Sequence, residues 1–467
     1  MKFDNIILGD GCKFSSNSLV TQLNNNVVIV GGSGSGKSMS YSEPRFLELM
    51  YSNLIAKLSK RKLIDKYTPL FHLRGYDVEV LDLVAPEKST ISFDPLYYVK
   101  SEEDVTHLAQ TLVNLDPKKE YQTKADPYWD EASVNLICSV IYLTLAIDNE
   151  PTLSKVIKYI KDLKITENGQ SISTNLDYMF EGIEQVNPNH TALSYWRSFS
   201  QLPPKTARCV YGSLIVAFNS VFSSELMGMM EKEKKLDFER FAQKKTVIFV
   251  LTSAVSPALH SFANMFFACA IKELFEIGEQ QENGMLPMPT HILCDDFAVG
   301  GTIKDFQDHI SIFREKGISV SILLQSESQL VSIYGENSAT TIINNCDTYV
   351  YMGGMDLKTC EHISKRVNLP LEDVLYMPIG QIIVFRRGER PIITKRYDIL
   401  NNTLYKKITE SCEKENKKSI KSQSSKAKHK NLKIEKIDTC KDENNEIEGD
   451  LQALLEAKFD ELFGDAS

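Results

Sequence analysis

Apolar positions along the chain fall into two rhythms. Val27–Val30, TVIFVLTS (246–253), HILCDDF (291–297), SVSILLQS (319–326) and TYVYMGG (348–354) are short runs rich in β-branched and aromatic residues. Runs of this kind predict strands of a sheet covered on both faces. YDVEVLDL (76–83) alternates, Ile6–Gly9 is a short strand, and Gln381–Tyr397 reads as a hairpin turning near Gly388–Glu389. Between these lie helical patterns. The stretch after Ser38 carries a kink at Pro44, Leu47–Leu73 reads as nearly continuous helix, and another helix runs through Phe275. Pro86–Tyr98 is loop. From Lys100 to about Leu202 the pattern is helical, opening with a capping-box start in SEEDVTHLAQTLVNL and continuing through WDEASVNLICSVIYLTLAI. Trp129 and Trp196 in this block read as core anchors.

The architecture expected is α/β, with residues 1–100 and 205–403 forming one discontinuous domain and 101–204 an all-α insertion. Residues 404–467 read as a charged, mostly disordered tail, because Lys, Asn, Ser and Glu dominate there. Within it, 451–463 carries Leu451, Leu454, Leu455, Phe459 and Leu462 on one helical face. That segment is either a marginal isolated helix or a docking helix for a partner.

The first strand is followed at once by Gly31, Gly32, Ser33, Gly34, Ser35, Gly36, Lys37 and Ser38. This is G-x-x-x-x-G-K-S between a strand and a helix, the phosphate-binding P-loop. Its glycines allow backbone N–H groups to turn toward a phosphate. Lys37 is suited to the β- and γ-phosphates of ATP, and the Ser38 hydroxyl to Mg²⁺. Such a site needs a carboxylate at the end of a neighbouring strand, and HILCDD supplies Asp295 for the metal side and Asp296 to polarise the attacking water. The same two acids also suit a helix cap. Arg314 precedes a strand ending in Gln325, a residue able to sense the γ-phosphate or place water. By itself Arg314 reads either as a solvated helix residue or as an arginine reaching a neighbouring subunit's nucleotide.

Composition narrows the class. Hydrophobic content of 42% and charged content of 25% are ordinary for a globular protein. Nine cysteines show no C-x-x-C pair, so reduced thiols are expected. The longest apolar run, Leu136–Ile147, is about 12 residues, too short to cross a bilayer. The net charge of −9 hides a basic segment, 404–436, and an acidic one, 437–467. The remainder is acidic, so any DNA contact must come from local loops or a pore.

GGSGSGKS, FDPLYYV, YWDEASVNLICSVIYL, LCDDFAVGG, FREKGISVSILLQSESQLVSIYG, NNCDTYVYMGGMDLKTCEHISKRV and MPIGQIIVFRRGERPIITKRY, in that order, resemble the TraG/TraD-type coupling proteins of type IV secretion. The resemblance runs from about Asn5 to Tyr397. It implies a RecA-like P-loop NTPase domain with an inserted all-α domain, assembled as a homo-hexameric ring around a DNA channel. It also implies ATP and Mg²⁺ as cofactors, and delivery of a relaxase-bound single-stranded DNA to the subunits of a type IV secretion channel. Carried over by position, Gly31–Ser38 bind nucleotide, Asp295 and Asp296 form the acid pair, Arg314 is the arginine finger and Gln325 the sensor.

The chain departs from that family in three places. It shows no N-terminal transmembrane helix, so the expected location is cytoplasmic, peripheral at the inner face of the membrane, with a separate protein as possible anchor. Asp296 stands where the family usually has Glu. Leu58–Lys62, LSKRK, stands where it often has Asp-Pro-Lys-Gly-Glu. The leading expectation is a coupling ATPase. The alternatives are a nucleotide-gated, substrate-recruiting adaptor that hydrolyses little, and a general DNA-pumping ATPase of the same superfamily.

Overall fold

The computed structural model describes residues 3–115, 127–168, 171–253 and 256–411. Nearly all of these belong to one compact unit, Met1–Ile408. Its frame is a nine-stranded sheet built from β3 (Val27–Val30), β4 (Asn53–Leu58), β5 (Asp77–Asp82), β8 (Thr246–Leu251), β9 (Thr290–Cys294), β10 (Ile318–Leu324), β11 (Thr348–Tyr351), β12 (Gln381–Arg386) and β13 (Ile392–Lys395). The order across the sheet is β13-β12-β11-β3-β10-β9-β4-β8-β5. All pairings from β11 to β5 are parallel, and the expected terminal hairpin, β12–β13, adds two antiparallel strands at one edge. A small hairpin, β1 (Asn5–Gly9) and β2 (Cys12–Ser15), precedes the sheet.

The apolar runs are continuous because both faces are covered. Val28 and Val30 point into one core, shared with Phe93, Phe262 and Phe266. Val27 and Ile29 point into the other, shared with Phe46, Tyr67 and Phe71. Those last three come from helices Glu43–Glu48 and Arg61–Leu73. Pro44 lies in the first turn of its helix, where its missing N–H costs least, and a wider turn, Ser38–Ser42, precedes it.

Several sequence expectations are corrected. Leu47–Leu73 is not continuous helix: NLIAKL is β4, entirely buried in the middle of the sheet. A short, wholly apolar run has no periodicity to separate strand from helix, and helical neighbours on both sides hid it. The block between β5 and β8 is not all-α, since β6 (Ile165–Asn168) and β7 (Ser171–Thr174) form a hairpin inside it. Nor does the helical run stop near 204. Helices Pro204–Val221, Ser224–Met230 and Phe238–Gln243 carry it to the edge of β8, and its apolar side chains are continuous with the core under the sheet. Finally, a helix begins at 403, with Leu404, Tyr405 and Ile408 packed on the second core. The rest of the expected tail, including 451–463, lies outside the described residues.

The capping box at Ser101 and Asp104 is present. Trp196 is buried and stacks on Phe180 at 4.2 Å, whereas Trp129 is 39% exposed and is not a core anchor. Helix Pro127–Ile147 is longer than the apolar run suggested, and by length and composition Tyr128–Ile147 could cross a membrane. It packs instead among the inserted helices, with Leu136, Ile137, Val140, Ile141 and Leu143 fully buried.

Candidate nucleotide site

The parallel strands end together, and the predicted chemistry gathers at those ends. Beyond Val30 the loop is held by its two neighbours: Gly31 N–H donates to Leu324 O at 3.1 Å and Gly32 N–H to Gly353 O at 2.9 Å. Two glycines are required by this packing. A Cβ on Gly31 would stand 2.5 Å from Ser35 Oγ and 2.9 Å from Met352 Cβ, and Gly36 has φ +92° with the Arg396 guanidinium where a side chain would go.

Lys37 Nζ donates to Gly31 O at 2.5 Å and Gly32 O at 3.2 Å, so the ammonium caps its own loop. Burial lowers its pKa, while Asp295 and Asp296 oppose that shift. Ser38 Oγ donates to Asp295 Oδ2 at 3.3 Å. Asp295 is raised above the ordinary carboxylate range by burial first and by Asp296 second, with Lys37, Ser38 and Lys60 pulling it back. Lys60, exposed in the LSKRK stretch just past the end of β4, is near enough to act on Asp295 electrostatically. Asp296 has φ +51°, a left-handed conformation that Asp tolerates better than longer side chains. Phe297 N–H then returns to Leu323 O, fixing the turn against β10. Gln325 is exposed at the end of β10, between the strands that carry the P-loop and the acids, with its N–H on Gln329 Oε1.

These residues fit a nucleotide phosphate chain and Mg²⁺. Ser35 Oγ is buried without a partner among the described residues, in a loop rich in N–H donors. No group of three or more His, Cys, Asp or Glu suited to an all-protein metal cage occurs among those residues. One hydroxyl and one carboxylate, with phosphates and water completing the shell, is the arrangement Mg²⁺ accepts.

Residues 6–368 match the family described as "Type IV secretory system Conjugative DNA transfer". The chain belongs to that family. No curated protein matches it by sequence. Among solved structures it is similar to the bacterial conjugative coupling protein TrwBdeltaN70 in complex with sulphate (16% identity, TM-score 0.58). It is also similar to the plasmid coupling protein TrwB with the non-hydrolysable ATP analogue ADPNP (15%, 0.58) and with ADP and Mg²⁺ (16%, 0.57). Each match covers 80% of this chain and 85% of the other. The fold is therefore that of a coupling-protein P-loop NTPase.

Not every predicted residue of this family member converges. Arg314 lies on the short helix Phe313–Lys316 before β10, donating to Gln22 O at 3.2 Å and Ser18 O at 3.4 Å. The seven residues of β10 span roughly 20 Å, so Arg314 stands at the far end of the sheet from its own P-loop. Sequence reasoning also missed three residues. Arg396 Nη1 donates to Ser35 O at 3.1 Å, over the loop. Its only signal was a cation just after the closing hairpin. Lys57, buried on β4, donates to Asn264 Oδ1 at 3.1 Å. Asn264 in turn binds the Val299, Gly300 and Gly301 carbonyls that follow the acid pair. Burial pushes the Lys57 pKa down to about 8, against Cys294, Asp296 and Asp295. The helical reading of Leu47–Leu73 concealed it.

Proposed function

We propose that this chain binds ATP with Mg²⁺ and hydrolyses it to drive passage of a relaxase-bound single-stranded DNA into a type IV secretion channel. The observation that carries the reading is the convergence of Lys37, Ser38, Asp295 and Gln325 at the ends of three adjacent strands. Lys37 would exchange its two loop carbonyls for phosphate oxygens. Ser38 and Asp295 would hold the metal, which supplies charge neutralisation on the phosphates. Asp296 would accept the proton of the attacking water, and Gln325 would orient that water. Arg314 would complete the site of a neighbouring copy, within a homo-hexamer whose subunits lie at the inner face of the membrane, held there by partners that include a separate anchor protein.

One feature favours the adaptor reading: the Asp296 side chain is one methylene shorter than the glutamate usual in the family. ATPase activity of the purified chain, with and without single-stranded DNA, against Lys37→Ala decides between them. DNA-stimulated turnover lost in Lys37→Ala supports the motor, and ATP binding without turnover supports the adaptor.

A further inference from the structure

Two exposed apolar features lie at opposite ends of the sheet, each bordering one half of the divided site. The first is a knob. Leu19 and Val20, on the short helix Ser18–Thr21, are 82% and 75% exposed. The carbonyls at this helix, Ser18 O and Gln22 O, are the ones that hold Arg314, and Arg387 donates to Gln22 O as well. The knob is thus aliphatic and bordered by two arginines, of which Arg387 is also paired with Asp347.

The second is a groove of about 430 Å³ whose lining combines the apolar Leu369, Tyr376, Met377 and Ile393 with the acidic Glu372 and Asp373. Tyr376 is 82% exposed, and Ile379 beside it 98%. The groove adjoins the P-loop. Met377 Cε lies 3.6 Å from where a Cβ on Gly353 would be, and Gly353 O is the acceptor for Gly32 N–H. Arg396 N–H donates to Gly380 O, while its guanidinium reaches Ser35 O. This feature joins apolar side chains to two carboxylates, with the Arg396 guanidinium on its P-loop side.

The geometry points to a head-to-tail contact in which Leu19 and Val20 of one copy seat in the Tyr376–Ile379 groove of the next. The inference rests on the reading of Arg314 as acting on a neighbour's nucleotide. Three observations select a second copy as the occupant. The knob's arginines and the groove's two carboxylates are of opposite charge, which steers one surface onto the other. Those carboxylates disfavour nucleic acid. The knob also carries Arg314 toward the loop from which its own fold separates it. Because the surfaces differ, the contact is heterologous, the type of contact that closes into a ring when its rotation divides a full turn.

The test uses the full chain with ADPNP, Mg²⁺ and oligothymidine, reading assembly by sedimentation. Wild type should assemble. Leu19→Lys/Val20→Lys should weaken self-association at least tenfold, and so should Tyr376→Glu/Ile379→Glu, each with unaltered melting and nucleotide binding. An equimolar mixture should recover assembly, since Lys knobs meet Glu grooves and the remaining native surfaces meet each other. A wild-type chain that stays monomeric, a variant that assembles like wild type, or a mixture that fails to recover would each overturn the contact. Arg314→Ala separates the two readings. If it assembles and hydrolyses normally while the mixture still recovers, the contact stands and the finger falls.

Discussion

Ser38 Oγ and Asp295 Oδ2 meet at 3.3 Å across the end of β10, from segments that flank that strand on either side. Neither residue is adjacent to the other in the sheet. The intervening strand ends in Leu324, which accepts from Gly31, and Gln325 projects at the gap. Ser38, Asp295 and Gln325 are therefore spaced by the sheet itself.

Lys37→Ala should abolish ATP binding or weaken it severely while leaving the fold intact. In the free chain Lys37 caps only the Gly31 and Gly32 carbonyls, and both can be solvated when it is lost. Calorimetric titration with ATP and a thermal melt check this. Unchanged affinity would remove the P-loop assignment.

Arg314→Ala should reduce turnover by on the order of 10³-fold or more while ATP still binds. Because Arg314 lies far from its own P-loop, a finger role predicts a defect shared between copies. Mixing Arg314→Ala with Lys37→Ala should restore activity at sites that pair an intact loop with an intact arginine. If oligomers form and no activity returns, Arg314 does not act across the interface.

Asp296→Asn should lower turnover and keep ATP binding, since Asn adopts left-handed backbone as readily as Asp. Asp296→Glu extends the carboxylate by about 1.5 Å, and turnover should be preserved or raised. The φ of +51° adds an opposing cost, a less stable turn by on the order of 1 kcal/mol. Steady-state rates and melting points of the two variants read both effects. An Asn variant as fast as wild type would exclude Asp296 as the base.

Lys57 gives a pH signature. Its folded pKa, down to about 8, lies below the ordinary lysine value. Between about pH 8 and the ordinary lysine range the unfolded chain holds the proton that the folded chain has lost. Stability from this group therefore rises with pH in that window, by a few kcal/mol at most. Lys57→Met should remove the rise, read as the difference in melting temperature between the two proteins across the window. Parallel pH profiles would show that Lys57 does not titrate there.

What the chain discloses in advance depends on how local the cause is. β3 and its glycine loop are legible because strand, turn and lysine are consecutive. The placement of Asp295 and Gln325 at strand ends is legible because each directly follows an apolar run. β4 was hidden, since six buried residues carry no rhythm and only neighbouring strands determine their state. The β6–β7 hairpin was missed because it is short and polar, and helices surround it. Arg396 and Asn264 were out of reach because their roles exist only through contacts with Ser35 and with the 299–301 carbonyls.

The neighbours of β3 in the sheet are β10 and β11, and the P-loop leans on Gly353 and Arg396. Everything the loop leans on lies far downstream of it in the chain, in β10, β11 and the residues after them. A nascent chain must therefore keep an apolar strand and a glycine-rich loop without these partners until β10, β11 and the closing hairpin have been made. The native shape of the loop is in consequence late to form. It appears only once the closing strands have been threaded into place beside the opening one.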